Sequence, residues 1–194
     1  RYAEAEKLLR DLIARNRASL GPESHETLKS MRTLAAVFRS MSRYDEAAEL
    51  QQKVISILER VSGKEDPETL GVLNDYGVVL MFQTKYEEAA AIHERVYEAR
   101  RRQLGEEHPS TLMSLHNRGM VRYSQQRDDE AGELLEKVVA SQTRVLGPLH
   151  PDTLNSVSNL GNIRQNQSRH EEAAALYKRA YEGLNQVVGN RSRD

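Results

Sequence analysis

The sequence repeats itself with a period of 42 residues. A Glu-Ala pair recurs at 4–5, 46–47, 88–89, 130–131 and 172–173, and a glycine recurs at 21, 63, 105, 147 and 189. A Thr-Leu pair recurs at 27–28, 69–70, 111–112 and 153–154, and a small residue follows at 35, 77, 119 and 161. Because several independent positions agree on one register, the chain must be built from stacked copies of one structural unit.

Each unit is predicted to be a pair of helices, because its apolar residues recur three or four positions apart, as at Leu70, Leu73 and Leu80. Asp66-Pro67 has the form of a capped helix start, and Gly63 suits a helix end. We place the first helix of each pair at 24–41, 66–83, 108–125 and 150–167. The second helices are placed at 1–20, 43–61, 85–103, 127–145 and 169–187.

The composition argues against several classes of protein. The net charge is −1 and only 5% of residues are aromatic, which disfavours nucleic acid as a partner. No apolar run approaches the roughly 20 residues of a membrane span. Cysteine is absent, which fits a reducing compartment and leads us to expect a cytoplasmic location. The chain begins with Arg1 and opens and closes on second helices, so we expect a fragment of a longer protein.

No motif for catalysis, for a cofactor or for a metal can be assembled. His108 and His150 precede prolines at helix starts, where a capping role is expected, and neither belongs to an HExxH pattern or to a converging set of ligands. Arg100, Arg101 and Arg102 end a predicted helix, where solvated cations offset the helix dipole; a phosphate-binding patch is the alternative. We therefore expect no enzyme activity, no cofactor and no metal.

The repeats resemble those of the tetratricopeptide repeat family, in the 42-residue form typical of kinesin light chains. The resemblance is carried by LGEEHPSTLMSLHNRG with KYEEA and by LGPLHPDTLNSVSNLG with RHEEA, and it covers the whole chain. It implies an all-α fold, a right-handed superhelical solenoid of antiparallel helix pairs. Residues 1–194 would form a single array, in which an orphan second helix at 1–20 precedes four complete pairs at 24–61, 66–103, 108–145 and 150–187.

The resemblance also implies a peptide-binding groove, because the first helix of each pair lines the concave surface in this family. Asn117 and Asn159 match the groove asparagine of the family, whereas Thr33 and Asp75 occupy the same position in the other two units. Met81, Met113 and Met120 would form an adaptable apolar pocket or would simply fill gaps between helices. The predicted groove residues are Lys29, Arg32, Arg39, Asn74, Asp75, Val78, Met81, Met113, His116, Asn117, Met120, Tyr123, Asn155, Ser158, Asn159, Asn162 and Gln165.

Three arginines stand at positions where this repeat usually packs an apolar side chain, namely Arg118, Arg122 and Arg164. Because a buried guanidinium without an anion is unfavourable, we expect each stem to be packed and each head group to be paired or hydrated.

The function predicted is that of a non-catalytic scaffold whose concave groove binds a peptide segment of a partner protein. The alternative is an assembly element whose open ends stack on further repeats or on another copy of the chain.

Overall fold

The computed structural model of the protein describes residues 2–191, with side chains through residue 187. The described residues form nine α-helices and no strand. The helices are α1 (Tyr2–Leu20), α2 (His25–Ser40), α3 (Tyr44–Val61), α4 (Pro67–Phe82), α5 (Tyr86–Leu104), α6 (Pro109–Ser124), α7 (Asp128–Val145), α8 (Pro151–Asn166) and α9 (His170–Arg191). They belong to two compact units, and the division between Ile92 and His93 falls within α5. No helix in this part of the chain is long and apolar enough to cross a membrane.

The helix boundaries predicted from the repeat are confirmed to within one residue, with one exception. The predicted end of the last helix at residue 187 is wrong, because α9 continues through Gly189 to Arg191. Glycine allows left-handed backbone but does not require it, and no first helix follows in the described residues to hold a turn there. The first residue of the predicted helix 1–20, Arg1, lies outside the described residues.

Each first helix starts at a cap that satisfies its free backbone N–H groups. Ser24 and Asp66 accept hydrogen bonds from backbone amides of the first turn, as Ser and Asp caps ordinarily do. His108 and His150 do the same through Nδ1, at 3.1 Å from the Ser110 amide and 3.2 Å from the Asp152 amide. The capping role predicted for the two histidines is therefore confirmed.

The two kinds of turn both depend on left-handed backbone. The turn after each of the second helices α1, α3, α5 and α7 uses a glycine, with φ between 87° and 106°. The three-residue turn inside each pair instead uses Ser42, Thr84, Gln126 and Ser168, with φ between 57° and 61°. There the N–H of the next residue bonds to the carbonyl five positions back, as in Lys85 N–H to Leu80 O at 2.9 Å. No pattern in the sequence predicts that these non-glycine residues adopt left-handed backbone.

Within each unit the helices form two layers. In the first unit, Arg32 of α2 reaches Glu68 of α4 at 3.2 Å, which places two first helices side by side. In the second unit, His116 of α6 meets Ser156 of α8 at 2.9 Å, and Arg179 of α9 donates to Thr143 of α7 at 3.0 Å. First helices therefore neighbour first helices, and second helices neighbour second helices.

The predicted small residues permit close packing of paired helices. A Cβ added to Gly119 of α6 would lie 2.1 Å from Cδ2 of Leu135 in α7, and one added to Gly161 of α8 would lie 2.7 Å from the ring of Tyr177 in α9. Leu135 is fully buried in a core that also contains Val157 and Ile163. In these two pairs, the side chain about two turns into the second helix thus packs directly on the backbone of the first helix.

Candidate functional site

In the first unit, the predicted groove residues lie on the neighbouring helices α2 and α4. Lys29 is exposed, whereas Arg32, Arg39, Asp75, Val78 and Met81 are partly exposed. Asn74 is buried, so little of its side chain reaches the surface. The positive charge of Arg32 is partly neutralised, because Glu68 binds both Arg32 and His25 at 3.2 Å.

In the second unit, the predicted groove residues form a hydrogen-bonded network between α6 and α8. His116 Nδ1 lies 2.9 Å from the hydroxyl of Ser156, and its Nε2 lies 3.2 Å from Nδ2 of Asn159. Asn159 Nδ2 also donates to Oδ1 of Asn155 at 3.1 Å. Since an amide nitrogen only donates, His116 must accept at Nε2 and carry its proton on Nδ1, from which it donates to Ser156.

The histidine in this network is uncharged at neutral pH. Burial lowers the pKa of His116 to about 4, although the nearby carboxylate of Asp152 opposes the shift. A neutral ring with both nitrogens engaged is a fixed spacer between α6 and α8, and it leaves neither nitrogen available to a ligand.

The network changes what Asn159 can offer to a peptide. Both of the hydrogen bonds that its Nδ2 makes are internal, so the available group is the carbonyl oxygen, which accepts from a peptide N–H. Asn117, one repeat earlier on α6, is partly exposed. The two asparagines matched to the family are thus placed on adjacent first helices, and Asn159 is held in one orientation.

The other predicted residues of the second unit are distributed over the same two helices. Met113, Asn155 and Gln165 are exposed, and Met120 and Ser158 are partly exposed. Tyr123 packs against the core, and Asn162 accepts a hydrogen bond from the hydroxyl of Tyr177 at 2.9 Å. Met81 belongs to the first unit and Met113 and Met120 to the second, so the methionine pocket stays a prediction.

A cavity of about 180 Å³ lies among these residues in the second unit. It gathers four predicted groove residues and three that were not predicted. Its lining consists of Met113, His116, Asn117, Gln142, Asp152, Asn155 and Ser156. Gln142 comes from the second helix α7 and was missed because the groove prediction considered first helices alone.

The run of arginines at the end of α5 does not behave uniformly. Arg101 and Arg102 are exposed, as expected, but Arg100 is only 8% exposed and its predicted solvation is wrong. Arg100 Nη1 donates to the backbone oxygen of Ser110 at 3.1 Å and to the hydroxyl of Ser114 at 2.9 Å. It therefore joins α5 to α6 within the second unit.

The three arginines at apolar positions are paired, as predicted. Arg118 meets Glu94 at 2.7 Å, and its guanidinium lies 4.5 Å from the centre of the Tyr97 ring. Arg122 donates to Gln125 at 2.9 Å. Arg164 is almost fully buried and binds Glu136, Glu172 and Gln167. Their ion pairs join neighbouring helices of the second unit.

We expect Arg118→Leu to change the free energy of unfolding by no more than about 1 kcal/mol. The lost ion pair is partly exposed and contributes about 0–1 kcal/mol, the lost ring contact contributes about 0.5–1 kcal/mol, and leucine gains apolar contact at this position. Thermal unfolding of the variant beside Glu94→Gln measures the contribution of the charge alone. A markedly lower unfolding temperature for Arg118→Leu would contradict a packing role for this arginine.

The comparisons with known proteins agree with the helix pairs. The family model of the tetratricopeptide repeat matches residues 1–60, 68–140 and 112–186. A search of curated proteins gives no match.

Several solved structures are similar. Nearly identical TPR-like repeats described as a kinesin light chain of Podosopora anserina are 28% identical, with a TM-score of 0.77 over 96% of this chain and 88% of that one. BtubC (BKLC) from P. vanneervenii is 21% identical, with a TM-score of 0.77 over 97% and 75% of the two chains. MamA from Desulfovibrio magneticus RS-1 is 17% identical, with a TM-score of 0.60 over 94% and 96%. The last two likenesses concern the fold alone.

Paired helices that repeat every 42 residues, with a polar surface on adjacent first helices, define an α-helical repeat scaffold of the kind that mediates protein interactions. The predicted all-α fold class is confirmed. The chain belongs to the tetratricopeptide repeat family, and its repeats are of the kinesin light chain type.

Proposed function

We propose that the chain is a non-catalytic scaffold that binds an extended peptide segment of a partner protein along its first helices. The observation that carries this proposal is the network of His116, Ser156, Asn159 and Asn155, which holds polar side chains of α6 and α8 in fixed positions. Fixed side chains lose little conformational entropy when a ligand binds. A fixed amide oxygen at Asn159 can accept a backbone N–H whatever the side chains of the peptide are.

The proposed function also includes a cellular location and a class of partner. We place the protein in the cytoplasm, with protein partners and without nucleic acid, and we treat residues 1–194 as a single array. The near-neutral charge and the absence of cysteine support this setting.

The test is capture of an immobilised peptide library by the wild type and by the double variant Asn117→Ala, Asn159→Ala. We expect the double variant to lose at least ten-fold in affinity for the peptides that the wild type captures. A matched control is Asn166→Ala at the end of α8, because Asn166 is exposed and was not predicted to line the groove. Equal capture by the wild type and the double variant would refute groove binding.

End-to-end assembly is the second candidate, and exposed apolar side chains on the terminal helices favour it. Leu8 and Leu12 of α1 are 63% and 44% exposed, and Tyr181 and Leu184 of α9 are 68% and 51% exposed. Sedimentation over a wide range of protein concentration tests it. Association that Leu8→Glu abolishes would support assembly through α1, whereas a monomer at every concentration would exclude it.

A further inference from the structure

The cavity of the second unit contains a buried acceptor that has no donor. Gln142 is 3% exposed, and its Oε1 has no hydrogen-bond partner among the described residues. A buried amide oxygen without a partner costs about 1–3 kcal/mol, and a donor supplied by a ligand would remove that cost. Gln142 lines the cavity together with Met113 and Asn155, both of which are exposed, so its side chain borders the space that a ligand would occupy.

Among the described residues, the other second helices show that an unpartnered amide oxygen at this repeat position is particular to Gln142. Asn16 donates to the backbone oxygen of Glu26 and to the hydroxyl of Ser30, at 3.3 and 3.2 Å. Arg100 makes the equivalent bonds to Ser110 and Ser114. The position is apolar in α3, where Leu58 is buried. At the other positions, the side chain thus makes hydrogen bonds within the protein or is apolar.

The lining of the cavity selects for a cation. Its only formally charged residue is Asp152, whose side chain is 68% exposed. His116 is neutral and both of its nitrogens are engaged. The remaining acceptors include Oδ1 of Asn155, which already receives one hydrogen bond and has a second lone pair. Acceptors thus come from α7 and α8, and Met113 of α6 supplies an apolar wall.

We propose that this cavity binds the ammonium group of a lysine side chain from the docked segment, with Gln142 and Asp152 as its acceptors and Met113 against its methylene stem. The proposal rests on the proposed function and names the side chain that this part of the groove takes. Lysine fits better than arginine because an ammonium directs three donors to acceptors on different helices. A guanidinium is a planar fork that suits a single carboxylate.

The test is an NMR titration of the whole chain with N-acetyl-lysine N-methylamide. The resonances to follow are the methyl group of Met113 and the side-chain amide of Gln142. We expect saturable shifts with this probe. We expect none with its Nε-acetylated analogue, which keeps the stem and loses the charge, or with N-acetyl-glutamate N-methylamide. Alanine N-methylamide, whose α-amine is free, tests a chain terminus as the source of the ammonium; equally strong binding of this probe would overturn the assignment to lysine.

Variants locate the binding site. Gln142→Leu introduces the residue that the second repeat has at this position, and we expect at least ten-fold weaker binding of the lysine probe. Asp152 is exposed, so Asp152→Asn should leave folding intact. We expect this variant to bind the lysine probe more weakly and with less dependence on salt. Gln51→Leu is the matched control, because Gln51 is also buried and its Oε1 has no partner among the described residues, but Gln51 does not line this cavity.

The lysine site would also be overturned by binding of the glutamate probe in this cavity, or by lysine-probe binding that neither Gln142→Leu nor Asp152→Asn alters. The experiments distinguish failure of the lysine site from failure of the proposed function. If the double variant of Asn117 and Asn159 still loses its library peptides while lysine has no effect, only the lysine site fails. If the lysine probe binds but no library peptide does, groove binding fails.

Discussion

Gly119→Ala is expected to lower the free energy of unfolding of the second unit by about 1–3 kcal/mol, the usual effect of overpacking a tight core. The added Cβ would stand 2.1 Å from Cδ2 of Leu135. Leu135 is fully buried and cannot turn away without displacing its own neighbours. The loss should exceed the roughly 0.5–1 kcal/mol that alanine gains over glycine inside a helix. Denaturant unfolding followed by circular dichroism measures the change.

Gly71→Ala provides the matched control for this effect. Gly71 also lies inside a first helix, but a Cβ there meets only the Arg32 guanidinium, at 3.5 Å, which is ordinary contact. We expect Gly71→Ala to be stabilising by about 0.5–1 kcal/mol. Adding Leu135→Val to Gly119→Ala should cost less than the sum of the two single changes, because the smaller side chain relieves the clash. Strict additivity would show that Leu135 is not what excludes the Cβ.

The repeat made the helices predictable, and the reason is physical. Apolar residues every three or four positions define the buried face of a helix, and glycine, proline and cap residues mark its ends, so local rules agreed with the fold. The turns inside each pair escaped prediction because Thr84 and Gln126 adopt left-handed backbone that neither residue favours. Packing of the two helices on either side holds them there, and that information is not local.

The candidate site was predictable in its position but not in its chemistry. Counting from Thr111 placed Asn117 and His116 on one face of α6, because helical spacing fixes which residues share a face. The sequence could not show that Asn159 would give one donor to His116 and the other to Asn155, since the bond to His116 joins residues of different repeats. Nor could it show that Oε1 of Gln142 would lack a partner among the described residues, because Asn16 and Arg100 have hydrogen-bond partners at the same repeat position.

His93→Leu is expected to stabilise the protein, by about 1–3 kcal/mol at neutral pH. His93 is completely buried, and neither ring nitrogen has a hydrogen-bond partner among the described residues. Unsatisfied buried polar groups each cost about 1–3 kcal/mol. Leucine is the natural replacement, because the next repeat has Leu135 at this position, fully buried. Thermal and denaturant unfolding at neutral pH measure the gain.

The same substitution should also change how stability depends on pH. Burial, aided by the positive charge of Arg100, lowers the pKa of His93 to about 4 from its ordinary 6.5. Between these values the unfolded chain binds a proton that the folded chain does not, so acid destabilises the wild type as pH falls from 6.5 to 4. Proton binding to the unfolded chain at His93 removes at most about 3 kcal/mol from the free energy of unfolding. His93→Leu lacks this titrating group, so the free energy of unfolding that it gains over the wild type should increase as the pH falls toward 4.

A control separates the effect of protonation on stability from the effect of side-chain packing. Gln51→Leu removes a buried amide at the same repeat position as His93 and replaces it with the same residue, but no titrating group is lost. We therefore expect Gln51→Leu to stabilise the protein by a similar amount at pH 7.5 and pH 4.5, whereas the gain from His93→Leu should be larger at pH 4.5. Some acid sensitivity should survive in His93→Leu, because burial also lowers the pKa of His116 to about 4. Equal gains from His93→Leu at the two pH values would mean that His93 accepts its proton in the fold as readily as in the unfolded chain.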